Sequence, residues 1–336
     1  LGYLIYGLGV DPRRILTMTY TVAATKEMRL RFSKRFGPEY AEDFECRTIN
    51  GLCCKLIEAY ARLGHTPPKL AEERQQSVIL RDVWAELDAG FPTEQDIRTA
   101  KIFIANVKNR MLKDDKEMRK FADTLKSDSD VDFIRVYKRY QEILRRNQMM
   151  DYDDQMVFAL AILKREPGVL KKFQNQYQYI FVDEAQDTSK IQHEIISLLA
   201  KAHQNLFLVG DEDQSIYGFR AANPQELLEF EKRWPGGTVL FIETNYRSTP
   251  EIIGAAVRVI RKNQERRDKK MRAAQPSNGV NVAEMRCDNR MQQYEKLVEL
   301  ARHAAVPGSE ELAILYRNND TSLPIIDRLE KAGIPY

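Results

Sequence analysis

Tyr179-Ile180-Phe181-Val182-Asp183-Glu184-Ala185-Gln186-Asp187 is an aromatic and β-branched run that stops at two adjacent carboxylates. It reads as a buried strand that delivers acids to its C-terminal edge. In open α/β sheets ligands sit outside the carboxyl ends of the strands, so acids there point to chemistry. Adjacent side chains at a strand end diverge. Asp183 can then hold Mg2+ through its water shell while Glu184 reaches an attacking water. A plainer role, capping a helix that starts near Thr188, is open too.

A second apolar run, Leu206-Phe207-Leu208-Val209, ends in Gly210-Asp211-Glu212-Asp213-Gln214-Ser215-Ile216-Tyr217-Gly218-Phe219-Arg220. Parallel strands of a doubly wound sheet discharge on one side, which turns this loop toward Asp183 and Glu184. Gln214 carries a donor and an acceptor, fit to read a γ-phosphate or its attacking water. Tyr217, Phe219 and Arg220 have the composition of a base-stacking platform, although aromatic core residues would look the same. Further on, Glu243-Thr244-Asn245-Tyr246-Arg247-Ser248-Thr249 offers an arginine for a phosphoryl group and a tyrosine for a base. Its plainer reading is a helix cap at Ser248 or Thr249 beside a surface arginine.

Outward from these loops the pattern is α/β. Strands at 15–20 and 44–48 alternate with helices capped at Thr21 and spanning about 50–63, with Ala23, Ala24, Met28 and Phe32 as the stripe of the first. From 70 to 150 the periodicity is helical with almost no strand signal, carried by Ile79, Leu80, Val83 and Leu87, by Ile102, Ile104, Val107 and Met111, and by Phe133, Val136, Tyr137, Tyr140, Ile143 and Leu144. The charge-dense 113–117 run reads as a solvated face. Strands are then expected at 177–182, 206–209, 239–242, 280–285 and 312–316, and helices at 188–202, 251–262, 289–304 and 321–332. The implied organisation is a first lobe at 1–62 and 150–240, a helical insertion at 63–149, and the first part of a second lobe at 241–336.

With 336 residues, 43% hydrophobic and 30% charged, the composition is that of a two-domain soluble protein. No apolar run reaches the ~20 residues of a membrane span, which argues against a membrane partner. The opening Leu1-Gly2-Tyr3-Leu4-Ile5-Tyr6 is no signal peptide and resembles a helix end, so the chain reads as an excised piece of a longer one. Cys46, Cys53, Cys54 and Cys287 contain no Cys-x-x-Cys pair and suit reduced thiols in the cytoplasm. A net charge of +3 announces no nucleic-acid binder by itself. One basic cluster stands out: Arg258, Arg261, Lys262, Arg266, Arg267, Lys269, Lys270 and Arg272, offset by Glu265 and Asp268. It reads either as a DNA-phosphate contact, with Lys269 and Lys270 prominent, or as a solvated helix end and loop.

Taken in order, these pieces resemble the UvrD/Rep/PcrA-like family of superfamily-one DNA helicases. The resemblance is carried by Ile15-Leu-Thr-Met-Thr-Tyr-Thr21, Thr48-Ile-Asn-Gly-Leu52, Met150-Asp-Tyr-Asp-Asp154, Phe181-Val-Asp-Glu-Ala-Gln-Asp-Thr188, Val209-Gly-Asp-Glu-Asp-Gln-Ser-Ile-Tyr-Gly-Phe-Arg220, Asn245-Tyr-Arg-Ser-Thr249, Ala313-Ile-Leu-Tyr-Arg317 and Ala332-Gly-Ile-Pro-Tyr336. It implies a RecA-like P-loop NTPase lobe with a parallel sheet, an all-helical insertion and part of a second RecA-like lobe. It also implies ATP and Mg2+ as cofactors, single-stranded DNA and duplex junctions as partners, and 3′-to-5′ movement coupled to ATP hydrolysis. By the same resemblance Asp183 holds Mg2+ and Glu184 activates water, Gln214 and Arg247 contact the γ-phosphate, Tyr246 stacks on adenine, and Tyr20, Thr48, Phe219 and Arg220 touch single-stranded DNA.

The departures are specific. Thr19-Tyr-Thr-Val-Ala-Ala-Thr25 lacks the family's Asn and Lys, Asn50 stands where a His is usual, and Phe219 replaces a Trp. No Gly-x-x-x-x-Gly-Lys-Ser/Thr loop occurs in the sequence, so little ATP hydrolysis is expected of these 336 residues alone. Two rival functions remain: another α/β phosphotransferase built on the Asp-Glu pair, and a non-hydrolysing DNA-binding scaffold.

Overall fold

The computed structural model describes residues 1–87, 90–125, 131–306, 308 and 311–336. Seven positions of the expected insertion, 88–89 and 126–130, therefore lie outside the described residues. The chain divides into two compact units, the first comprising 1–242 and 260–270, the second 243–259 and 271–336.

In the first unit β1 (Ile15–Thr19) leads through α1 (Val22–Phe36) to β2 (Glu45–Thr48) and α2 (Ile49–Ala61). The Thr21 hydroxyl accepts from the Ala24 amide and Thr48 does the same for Gly51, so each helix starts on a cap placed at a strand end. The buried stripe of α1 is Thr25 and Phe32 with Met28 half-buried; Ala23, expected inward, faces solvent. Then come β3 (Lys69–Leu70), α3 (Glu73–Glu86), α4 (Glu94–Asn109), α5 (Asp115–Ala122), α6 (Phe133–Arg146) and β4 (Met149–Met150). The unit continues with α7 (Tyr152–Arg165), α8 (Pro167–Gln176), β5 (Tyr179–Val182), α9 (Lys190–Ala200), β6 (Leu206–Leu208), α10 (Gln225–Leu228) and α11 (Phe230–Arg233).

Four strands form one parallel sheet in the order β2-β1-β5-β6, with Leu16 opposite both Glu45 and Ile180, and Ile180 opposite Leu206. β1 is buried at all five positions because it lies inside the sheet with both faces covered. Alternate residues feed two cores. Leu16, Met18, Ile180 and Val182 pack with Leu52, Leu56, Leu160, Ile195 and Leu199, whereas Ile15 and Cys46 pack with Phe32 and Phe44. Helices α3 to α6 close over a separate core of Trp84, Phe103, Phe133, Tyr140 and Leu144. The sequence pattern missed the parallel two-residue pair β3–β4, which joins the entry and exit of this helical segment. Two residues are too short to show a period.

The second unit holds β7 (Thr244–Asn245), α12 (Pro250–Ile260, its last residue counted with the first unit), β8 (Arg272–Ala273), α13 (Arg290–Ala304) and α14 (Asn319–Lys331). β7 and β8 pair in parallel, and Ala301, Ile325, Leu329 and Ile334 form a small core. Here three expectations fail: 239–242, 280–285 and 312–316 are not strands. Apolar alternation alone does not make a strand, which needs a ladder partner, and these segments have none among the described residues. Leu240 and Leu315 are accordingly 82% and 93% exposed. Among the described residues no helix is long and apolar enough to cross a membrane.

Candidate functional site

The C-terminal ends of the four parallel strands gather most of the candidate residues. At the end of β5 the Asp183 amide donates to the Met18 carbonyl at 2.9 Å, extending the ladder by one residue. The chain then turns sharply, with Glu184 at φ 50°, ψ 44°, before the Ala185 amide donates to the Val209 carbonyl at 2.9 Å. A left-handed non-glycine residue costs roughly 1–3 kcal/mol and persists where its surroundings over-determine it. Neither acid caps the next helix: Ser189 and Gln192 form the capping box of α9, which leaves Asp183 and Glu184 available. Burial, then the neighbouring Glu184 carboxylate, raises the Asp183 pKa, and the same two causes raise that of Asp187.

Gln186, given no role from the sequence, ties the two strand ends together. Its Nε2 donates to Glu184 Oε2 at 2.7 Å, its Oε1 accepts from the Asp211 amide at 3.1 Å, and its carbonyl accepts from Ser215 Oγ at 3.1 Å. Asp211 in turn accepts from Gln214 Nε2 at 2.8 Å. Glu184 and Gln214 are thus the ends of one hydrogen-bonded chain. The close approach requires Gly210, where a Cβ would stand 2.6 Å from Gln186 Oε1 and 2.9 Å from Leu227 Cδ1. A glycine directly after an apolar strand was the signal available for it.

Beside the acids, Tyr20, Thr48, Phe219 and Arg220 line one groove of about 660 Å3, together with Asn50, Asp187 and Ser189. The stacking loop is no core element: Phe219 is 57% exposed, while Tyr217 lies stacked on Tyr20 at 5.9 Å with Arg220 over its ring at 5.4 Å. Helix α4 supplies the far wall through Arg98, Lys101 and Asn109, which sequence reasoning did not single out. It also anchors the loop, because Asn106 Nδ2 and Arg110 Nη2 each donate at 2.9 Å, to the carbonyls of Phe219 and Gly218.

A buried network fixes α4 in turn. Lys108, its side chain 2% exposed, sits 2.5 Å from Asp151 Oδ2 and 2.8 Å from Asp154 Oδ1, and Tyr140 OH donates to Asp151 at 3.2 Å. Asn109 donates to Asp153 at 2.7 Å and accepts from Ser189 Oγ at 2.9 Å. Burial works against the Lys108 charge, but Asp151 and Asp154 outweigh it and raise its pKa. Lys108 lies one turn after Ile104 on the apolar face of α4, the pattern that could have marked it as buried.

His193 lies on the inner face of α9, its Nε2 without a hydrogen-bond partner among the described residues. Burial, then the Arg233 guanidinium, pushes its pKa down to about 3 against a hydrogen bond to the Ala185 backbone. The folded chain therefore keeps His193 neutral down to about pH 3, whereas the unfolded chain protonates it near 6.5. Stability should fall as the pH drops through that window, by up to about 1.4 kcal/mol per pH unit from this group. Urea midpoints measured across the window should show a flatter pH dependence in His193→Gln. Identical slopes in the two proteins would exclude His193 as the cause.

Within the basic cluster Arg258, Arg261, Lys262, Lys270 and Arg272 are exposed, whereas Arg266, Arg267 and Lys269 are taken up by the acidic turn. Arg266 grips Asp213 through two bonds of 2.9 and 2.7 Å, and the Arg267 amide donates to Glu212 at 2.8 Å. Lys269, 12% exposed, pairs with Asp211, Glu212 and Asp213. Neither reading from the sequence foresaw this, since the partners lie more than fifty positions away. Tyr246 and Arg247 belong to the second unit, both exposed; there Asn245 Oδ1 accepts from the amides of Arg247 and Ser248 at 2.8 Å.

For a bound divalent ion the donor chemistry fits Mg2+, which takes one or two carboxylates and completes its shell with water and phosphate oxygens. Asp183 and Glu184 supply such a pair. Among the described residues no group of three or more His, Cys, Asp or Glu side chains is arranged as a metal cage.

Comparison with known proteins identifies related domains along the chain. The UvrD/REP helicase N-terminal domain matches residues 1–235, and the UvrD-like helicase C-terminal domain matches residues 240–336. Those domains imply the RecA-like P-loop NTPase fold, of which the parallel sheet is the visible part. The chain is 33% identical over 343 residues to a protein named ATP-dependent DNA helicase PcrA from Leuconostoc citreum, covering 100% of this chain and 45% of that protein. It is 34% identical over 340 residues to the PcrA of Staphylococcus epidermidis and 33% over 343 to that of Staphylococcus aureus, covering 100% of this chain and 46% of each. The chain thus spans a little under half the length of the curated relatives it matches.

Proposed function

We propose a function from one premise: the chain belongs to the UvrD/REP helicase family. It is the part of an ATP-dependent DNA helicase that binds ATP and grips single-stranded DNA, and ATP hydrolysis moves that helicase 3′-to-5′ along the strand and separates duplex at a junction. The observation that carries this reading is the hydrogen-bonded chain Glu184–Gln186–Asp211–Gln214, set at the same sheet edge as the groove of Tyr20, Thr48, Phe219 and Arg220.

Glu184 takes the proton of the attacking water. Its left-handed backbone and its bond from Gln186 hold the carboxylate at the sheet edge. Gln214 orients that water or the γ-phosphate, Arg247 steadies charge on the transferred group, and Tyr246 stacks on the adenine. Asp183 would hold Mg2+, which when bound neutralises charge on the β- and γ-phosphates. In the groove, Tyr20 and Phe219 present rings to the bases, with Thr48 and Arg220 beside the backbone. The domain scheme of first lobe, helical insertion and part of a second lobe belongs to the same proposal.

Binding to fluorescent single strands tests the groove. Phe219→Ala should weaken affinity by about 1–3 kcal/mol, the scale of one stacked base. Arg220→Ala should reduce the slope of log affinity against log salt by about one. Unwinding of 3′-tailed but not 5′-tailed duplexes by a full-length protein that carries a phosphate-binding loop checks the direction. Unchanged affinity in both variants would remove DNA from this groove.

A further inference from the structure

Three consecutive acids, Asp211, Glu212 and Asp213, immediately precede Gln214, and left alone they would repel one another. Residues 266–269, more than fifty positions later, close over them within the first unit. Arg266 takes both oxygens of Asp213, and Lys269 reaches Asp211, Glu212 at 2.9 Å and Asp213 at 3.3 Å. The Arg267 guanidinium adds bonds to the Leu227 and Leu228 carbonyls and to Glu231. Asp211 is the pivot. One of its oxygens meets Lys269, and the other accepts from Gln214 Nε2 at 2.8 Å. A carboxylate only accepts, so the atom of Gln214 facing it is the amide nitrogen, and the carboxamide oxygen points away.

We propose that residues 266–269 form a positioning strap: Lys269, supported by Arg266, locks Asp211 so that Gln214 offers its carboxamide oxygen to the site as an acceptor. Gln214 then receives a hydrogen bond from the attacking water rather than serving mainly as a phosphate donor. The inference deepens the ATPase reading and rests on it for the meaning of Gln214, but the strap itself can be tested without nucleotide. The same strap explains why Arg266, Arg267 and Lys269, out of a basic cluster that resembles a DNA contact, turn toward the acids, while Arg258, Arg261, Lys262, Lys270 and Arg272 stay exposed.

Lys269→Ala is the first variant, with Lys269→Gln as a substitute should the alanine protein fail to fold, and Lys269→Arg as the conservative rescue. Amide hydrogen exchange across 210–216 should accelerate in Lys269→Ala or Lys269→Gln while the rest of the first unit is unaffected, and Lys269→Arg should restore protection. In DNA-stimulated ATP hydrolysis by a full-length protein that carries a phosphate-binding loop, kcat should fall roughly tenfold to a hundredfold, the scale of a misplaced reacting group, with KM for ATP nearly unchanged. Unchanged exchange would overturn the strap. Faster exchange with an unchanged kcat would overturn the positioning role. A drop of about one in the salt slope of DNA binding would return Lys269 to the phosphate-contact role and overturn the inference as well. Absence of ATP hydrolysis by an unmutated full-length protein that carries a phosphate-binding loop would count against the proposed function, while the exchange result still decides whether the strap holds the turn.

Discussion

Glu184→Gln is expected to lower DNA-stimulated ATP hydrolysis, measured in a full-length protein that carries a phosphate-binding loop, by roughly 10²–10⁴-fold, the range for removing a general base. The substitution preserves shape, and the new amide oxygen can still accept from Gln186 Nε2, which now bonds Glu184 at 2.7 Å. The link to Asp211 and the Gln214 turn should therefore survive, and the loss should fall on kcat. Single-stranded DNA affinity should stay constant, because the groove is lined by Tyr20, Thr48, Phe219 and Arg220 and not by Glu184. Steady-state kinetics with a parallel DNA titration separate the two quantities. A variant that keeps most of the parent rate would strip Glu184 of the role and leave Asp183 or Asp187 to be considered.

Lys108→Met carries the largest expected cost in stability. It removes the cation between Asp151 and Asp154 without restoring water, since the Lys108 side chain is 2% exposed and that of Asp151 6%. Breaking a buried ion pair from one side costs about 3–5 kcal/mol because the remaining charge is left without a partner. Two carboxylates lose their cation here and keep only neutral donors, Tyr140 and the Asp154 amide for Asp151, Gln141 and the Asp151 amide for Asp154. Trp84, buried in the neighbouring helical core, gives a local fluorescence signal for urea unfolding. Adding Asp151→Asn to Lys108→Met should recover part of the loss by taking away one of the stranded charges. If the single variant unfolds at the parent midpoint, the network contributes nothing net to the fold. The same substitution should also weaken DNA binding, since Asn109, the next residue of α4, is what holds that helix to Ser189 on the groove wall.

Local sequence was sufficient wherever the cause of a feature is local. A run of β-branched and aromatic residues before Asp183 makes a strand with acids at its end, and Thr21 and Thr48 start helices because their hydroxyls satisfy free amides. The division of β1 and β5 between two cores follows from their alternating faces. Those rules read the parallel sheet, the helical segment inserted between its strands, and the loop carrying Phe219 and Arg220, whereas Tyr20 and Thr48 were implied only by the family resemblance. The same rules overreached at 239–242, 280–285 and 312–316, where alternation was present but no neighbouring strand was.

By itself, then, the chain of letters determined the four strands of the parallel sheet, most of the helices around it and which side chains stand at the strand ends, but neither the β3–β4 pair nor the absence of a strand at 239–242. Tertiary structure alone decided how they are wired: Gln186 between Glu184 and Asp211, Lys108 between two aspartates of another helix, and Lys269 on an acidic turn fifty-eight positions before it. Charge and spacing are written locally, but a partner is chosen by where the packed cores bring distant segments, and burial then gives that pairing its strength.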